Sequence, residues 1–257
     1  MIPSSKWSLH NFFSRNPLIR SYLPSTSIYQ RSSLAEYLNK YNTVFIKPSN
    51  KHMGKGIMKV WKTQGGYEFV VERGQSVHAS SLDELYQKIN QHSVAARCVI
   101  QKGIDLAEIE GRPFDIRVMM MRNGLGKWQY AGMLAKVAGP TSVITNVARG
   151  GGYVTKVDRA LIRSNAIEPN QVRPFIRDMI RLSYVVCRHF NRYKHSSQIG
   201  IDYAVDKKGH LSIIEVNFDF PSHGLFAKLS DQTYYRTIRR LAFQYRNRAR
   251  RRKIRKS

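Results

Sequence analysis

Two cysteines, Cys98 and Cys187, are all that 257 residues contain, too few for a disulfide framework or a cysteine-rich zinc site. A reduced, cytoplasmic setting is the expectation that follows. No run of about 18 apolar residues occurs, so the sequence offers no membrane-spanning helix. The opening MIPSSKWSLHNFF has neither a continuous apolar segment nor a small-residue cleavage site, and a secretory signal is not expected. Its serines and its freedom from acid up to Glu36 weakly mimic a transit peptide, but Trp7, Pro17 and Pro24 suit folded chain better. Internal repeats and low-complexity linkers are missing too. Acid is scarce: 17 Asp+Glu stand against 43 Lys+Arg, a net charge of +26. A field of that size favours polyanionic partners, namely nucleic acid, anionic polymers, membrane headgroups or acidic substrates.

What is present reads as globular, with 42% apolar and 11% aromatic residues. The length suits one large domain or two small, intimate ones. The charge is uneven. Residues 236–257 carry eleven basic side chains and no acid, and the other 235 residues hold +15. A basic tail over 246–257 is therefore read apart from a body over 1–245. The first 33 residues are polar with scattered aromatics. Beyond them VFIKP at 44–48 reads as a buried strand, and 57–62 with 67–72 as a hairpin. Ser81 and Glu84 form a capping box that opens a helix to about Asn90. Strands are expected at 98–101, 114–122, 128–137, 199–205 and 211–216. Helices are expected over 175–192 and, with Tyr234, Ile238, Leu241, Ala242 and Tyr245 buried, near the end. This order predicts an α+β protein whose antiparallel sheets each face a helix.

Three constellations carry chemistry. The first is Lys47 at a strand end, followed by Ser49 and a loop containing Gly54 and Gly56. Glycine lets backbone amides approach a polyphosphate, and the ammonium neutralises it; the bland alternative is a basic hairpin loop. The second is Asp202 on one strand with Glu215 and Asn217 on its hairpin partner. Residues two apart share a strand face, so two carboxylates and an amide oxygen form a hard donor set suited to Mg²⁺. Glu215 lies inside the apolar run LSIIEV, where an unpaired carboxylate would be costly. The third is Asp115 and Arg117 on one strand face, Lys136 on the next strand, and Asn146 before Gly150-Gly151-Gly152. A cationic wall beside a metal site suits a triphosphate; a salt-bridged sheet face is the alternative.

In order, IKP, SNKHMGKGI, QKGI, FDIRV, TNVARGG and IGIDYAV…IIEVN resemble an ATP-grasp domain. The closest resemblance is to the YheC/YheD family of endospore coat-associated ATP-grasp proteins, with weaker similarity to RimK-type glutamate ligases. It covers about Lys6 to about Phe226. The resemblance implies two α+β subdomains that grip ATP between antiparallel sheets. It implies phosphate contacts for Lys47 and Lys6, an adenine hinge from Gln101, Lys102 and Ile104, and a ribose contact for Asp105. Arg117 and Lys136 would face phosphates or an acyl phosphate, and Asp202, Glu215 and Asn217 match the Mg²⁺ ligands. Lys136 stands where many relatives carry arginine, which exchanges a bidentate contact for a point charge. FDFPSHG follows Asn217 where relatives commonly turn on Pro-Gly. The superfamily's usual N-terminal accessory domain is not recognised ahead of Lys6.

The leading function is an ATP- and Mg²⁺-dependent carboxylate–amine or carboxylate–thiol ligase, associated with the endospore coat. The competing one is a catalytically reduced ATP-binding or structural coat protein whose basic surface meets acidic coat proteins or anionic polymers. Nucleic-acid binding through the tail rests on charge alone and ranks last. His52, His189, His195 and His223 show no zinc spacing, Cys187 falls on a buried helix face, and Met119, Met120 and Met121 read as packing.

Overall fold

The protein is described from a computed structural model over residues 5–50, 55–92, 97–140, 151–218 and 221–254. Two antiparallel sheets organise it. The first has the order β1(Thr26–Ile28), β6(Cys98–Lys102), β2(Thr43–Pro48), β3(Met58–Thr63), β4(Gly66–Val71), β5(Val77–Ala79). The second runs β10(Tyr153–Thr155), β9(Trp128–Val137), β8(Arg112–Arg122), β11(Gln198–Val205), β12(Leu211–Asn217), with β7(Glu108–Ile109) paired to β8. The α+β expectation holds, and the expected strands fall where the alternation put them.

The first sheet buries one face against helices, and the second packs against helices on both faces. In the first, α3(Arg31–Lys40) and α4(Leu82–His92) cover Val44, Ile46, Met58, Val60 and Phe69 with Leu34, Leu38, Leu85 and Ile89. The cap of α4 is half as expected. Glu84 N–H donates to Ser81 Oγ at 3.2 Å, while the Glu84 carboxylate accepts from the N–H and hydroxyl of Ser80, one residue earlier. In the second sheet, Ile116, Val118 and Met120 of β8 meet α5(Val157–Arg163) and α6(Val172–Phe190). The alternate residues Met119 and Met121 meet Ile238 and Leu241 of α7(Thr233–Ile254). The period-2 alternation of β8 thus gives it one core on each side, and the upstream residues on its α7 side are Asp115 and Arg117.

Sequence periodicity missed the opening segment. Helices α1(Lys6–Ser14) and α2(Pro17–Arg20) form there, and Phe13 and Ile19 join the core with α6. Ser5 caps α1 by accepting from Ser8 N–H at 3.1 Å, and Asn16 caps α2 ahead of Pro17. These signals were present, but elements of nine and four residues are too short to display a periodic stripe. The other difference is at the far end. Helix α7 continues to Ile254, well past Tyr245, because its flank docks on the β8–β9 turn. Gln244 lies over Gly124, and the Arg248 guanidinium covers Gly126.

Candidate active site between the two sheets

The pairing register builds the site's floor. Arg117 on β8 stands opposite Asp202 on β11, and Asp202 opposite Glu215 on β12. Asp115 on β8 stands opposite Lys136 on β9, and Gly200 opposite Asn217. Opposed residues share a face, so the six side chains of Asp115, Arg117, Lys136, Asp202, Glu215 and Asn217 project toward one side of the second sheet. A β-bulge between Asp202 and Tyr203 ends the regular register just beyond the acidic pair.

The charges are tightly matched. Arg117 grips Asp202 in a fork, Nε to Oδ1 at 2.5 Å and Nη2 to Oδ2 at 2.7 Å. Lys136 Nζ lies 2.9 Å from Asp115 Oδ1 and 3.2 Å from Asp202 Oδ1. Asn217 Nδ2 donates to Asp202 Oδ2 at 3.2 Å. Asp115, Lys136 and Asp202 are all buried, where an unpaired charge would be expensive. Burial penalises the Asp202 carboxylate, but Arg117 and Lys136 outweigh that and hold its pKa below the ordinary range. Burial likewise opposes the charge on Lys136, and Asp115 and Asp202 raise its pKa in spite of it. Gly200 completes the arrangement. A Cβ there would stand 3.0 Å from Pro221 Cβ and 3.2 Å from Arg117 Cδ, so the guanidinium lies in a cradle that a larger residue would crowd.

The facing wall comes from the first sheet and α1. Lys47, buried at the end of β2, donates from Nζ to Gln101 Oε1 at 2.6 Å. Gln101 Nε2 in turn donates to Thr26 Oγ1 at 2.9 Å. Lys6 opens α1, its N–H donating to the Ser49 carbonyl and its Nζ to the Pro48 carbonyl at 3.1 Å. Burial pulls the pKa of Lys47 down to about 8, a fall that Lys6 deepens and that Glu215 and Asp202 partly offset. Lys6 is lowered by burial as well and is raised in part by Glu215. These cross-influences place both lysines within electrostatic reach of the opposite sheet. Four cations and three carboxylates therefore lie within electrostatic reach across the two sheets, with one positive charge in excess.

Other residues singled out from the sequence sit at varied distance from this cleft. Ser49 is buried beside Lys6. Gly56 has a left-handed φ of 71° and its N–H donates to Glu72 Oε1 at 2.6 Å, so this amide is already engaged. Ile104 and Asp105 lie on the segment joining the sheets, where Asp105 pairs with Lys207 at 3.2 Å. Lys102 is exposed and packs over the Tyr41 ring. Gly54 and Asn146 lie outside the described residues. His223 is half-buried, 2.7 Å from Gln198 Oε1 on β11. The sequence reading missed Gln101 as the partner of Lys47 and Gly200 as the cradle of Arg117. A glycine two residues before Asp202 on a buried strand was the available signal for the latter.

The donor set fits a hard divalent cation, with two carboxylates facing across β11 and β12 and an amide on the same face. Among the described residues no group of three or more His, Cys, Asp or Glu is placed to hold a metal ion by itself, so such an ion would need further oxygens from a bound ligand. The two antiparallel sheets and their covering helices agree with a comparison of the chain with known families. A profile of YheC/D-like ATP-grasp proteins matches residues 3–247. The chain belongs to that ATP-grasp family. It is 25% identical over 246 residues to the endospore coat-associated protein YheD of Bacillus subtilis (strain 168), covering 94% of this chain and 53% of the relative. It is 19% identical over 228 residues to the endospore coat-associated protein YheC of the same strain, covering 82% and 58%. The chain thus spans a little over half the length of these ATP-grasp relatives. A solved structure, the C-terminal domain of K. lactis Pby1, described as an ATP-grasp enzyme interacting with the mRNA decapping enzyme Dcp2, aligns with a TM-score of 0.48 and 14% identity. That alignment covers 90% of this chain and 67% of Pby1's domain. Among the described residues no helix is long and apolar enough to cross a membrane.

Proposed function

We propose that this ATP-grasp chain binds MgATP in the cleft and activates a carboxylate as an acyl phosphate, which an amine or thiol then captures. The observation that carries the reading is the convergence of Lys6 and Lys47 with Arg117, Lys136, Asp202, Glu215 and Asn217 across the cleft. A carboxylate oxygen attacks the γ-phosphorus, the bond to the β-phosphate oxygen breaks, and ADP leaves. An amine nitrogen then attacks the acyl carbon, phosphate departs, and the nitrogen releases a proton. Lys6 and Lys47 hold phosphate oxygens, while Arg117 and Lys136 receive the charge that builds on the transferred group.

Glu215, Asn217 and Asp202 would hold Mg²⁺, which supplies charge neutralisation at the phosphate oxygens. Asp202 would be free to do so where Arg117 and Lys136 turn from its carboxylate to phosphate. No nucleophilic side chain is required, and Cys98 and Cys187 are both buried. The relatives' names extend the proposal to association with the endospore coat, where acidic coat proteins or anionic polymers would meet the basic surface.

The test combines a thermal melt with ADP release. Saturation at a hundredfold excess over Kd should stabilise the fold by about 2.7 kcal/mol, and EDTA should remove most of that gain. ADP release should then depend on adding a carboxylate and an amine from a panel of amino acids and peptides. A melt unmoved by saturating MgATP would sink the reading.

A further inference from the structure

Three long stretches contain no acidic residue at all: 116–157, 179–201 and 232–257. The fold brings them together at one end of the second sheet. The β8–β9 turn comes from the first, the α6–β11 connection from the second, and the C-terminal half of α7 from the third. Arg122 is the hub. Its Nε donates to the Ser196 carbonyl at 2.8 Å, Nη2 to Asn191 Oδ1 at 2.7 Å and Nη1 to the Gly126 carbonyl at 2.7 Å. Its guanidinium also lies 4.4 Å from the Trp128 ring centre. His195 Nε2 joins Tyr245 Oη at 2.8 Å, tying the second stretch to the third. Around this framework Lys127, Arg192 and Arg246 are exposed, and none of the three stretches supplies a carboxylate to neutralise them. On α7, Arg236, Arg239, Arg240 and Arg246 line the outward face around Phe243, which is 60% exposed.

We infer that this pole and the outward face of α7 form a binding surface for single-stranded nucleic acid, held through its phosphates without sequence preference. This is independent of the chemistry proposed for the cleft, which lies five residues back along β8, about 17 Å away at the rise of a strand. Three observations favour this occupant. The cations are mostly arginine, whose planar fork meets phosphate in two hydrogen bonds. An exposed aromatic ring amid arginines is the element that base stacking adds to backbone attraction. The apolar side of α7, Ile238 and Leu241, is already buried on the sheet, so the helix has no apolar face to lay into a bilayer.

The experiment follows binding of a fluorescein-labelled oligothymidylate by anisotropy across a salt series, using the full chain. Wild-type protein should bind, with log affinity falling linearly against log salt. The variant Lys127→Glu, Arg192→Glu, Arg246→Glu should bind roughly tenfold or more weakly and lose about 0.7 of slope per phosphate contact removed. Phe243→Ala should weaken binding roughly tenfold and leave the slope unchanged. A melt of each variant with and without MgATP checks that fold and cleft are intact. Wild-type affinity in the triple variant would overturn the assignment and move the contact to the residues beyond Arg248. Equal displacement of the oligonucleotide by polyglutamate, with Phe243→Ala silent, would overturn it in favour of an acidic polypeptide. Preferential retention on phosphatidylglycerol vesicles would overturn it in favour of a membrane surface.

Discussion

Lys47 is a cation held where water is scarce, and its pKa of about 8 places its titration close to neutrality. Between about 8 and the ordinary lysine value the unfolded chain keeps this proton and the folded chain does not, so folding stability from this group rises with pH across that window. Phosphate affinity runs the other way, because only the ammonium attracts the anion. MgATP affinity, measured by calorimetry, should therefore fall between about pH 7 and pH 9, and Lys47→Arg should flatten that fall, since a guanidinium keeps its charge. Lys6, lowered by burial too, supplies whatever slope remains. Superimposable pH profiles for the two proteins would show that Lys47 does not bind phosphate. Gly200 carries a second test. The clearances of 3.0 and 3.2 Å to Pro221 and Arg117 require a shift of only a few tenths of an ångström, so Gly200→Ala should cost stability only about 1 kcal/mol. The side chain that must yield is the fork on Asp202, so MgATP affinity should drop by roughly tenfold, a larger effect than the melt reveals. A lowered melt with unchanged affinity would assign Gly200 to packing alone.

At the scale of elements, α7 comes close to the backbone of β9. Gly132 on β9 has φ of 153°, and a Cβ there would lie 2.5 Å from the Tyr234 ring. Both the backbone and the space demand glycine, so Gly132→Ala should destabilise by about 3 kcal/mol, seen as a lower urea midpoint with an unchanged slope. A midpoint within error of wild type would mean that α7 can lift off this strand at no cost. The alternation in FDIRVMMM revealed β8 and put Asp115 and Arg117 on one face, and the spacing in IIEVN did so for Glu215 and Asn217. Period and spacing are local properties, and they sufficed for the strands and for the face that Glu215 and Asn217 share. The Lys47–Gln101 bond joins residues 54 apart in sequence, and the docking of Lys6 on Ser49 joins residues 43 apart. Those pairings depend on sheet order, which no local pattern encodes. The extension of α7 past Tyr245 was hidden for a related reason. Like charges at i,i+4 spacing oppose a helix there, whereas the glycines that receive Gln244 and Arg248 lie in a turn more than a hundred residues earlier.

For the whole molecule the dominant quantity is +26. The acids that do exist are largely committed, Asp202 to Arg117 and Lys136, Asp83 to Arg31 and Asp231 to Lys156, so little negative charge remains to offset the acid-free end. Self-repulsion of that kind opposes the compact state. Exposed charges are screened over about 8 Å at physiological ionic strength, whereas the buried Arg117–Asp202 fork is screened far less. The thermal midpoint should therefore rise as sodium chloride increases from a low concentration and level off once the surface is screened. The end of the chain gives this its sharpest form. Residues 249–257 add six basic side chains. The helix dipole repays cations in its last turn by about 0.3–1 kcal/mol, and repulsion at i,i+4 costs about 0.2–0.5 kcal/mol for each pair, added to the field of the rest of the molecule. Repulsion prevails. A chain ending at Arg248 keeps the guanidinium over Gly126 and should melt at or above the full-length temperature at low salt, with a visibly flatter salt dependence. A chain ending at Tyr245 loses that contact as well and should melt below the Arg248 version at every salt concentration. If both truncations behaved alike, Arg248 would contribute nothing to docking α7. If the salt dependence survived both, the repulsion would reside in the body of the fold, where Arg122, Lys127 and Arg192 already cluster.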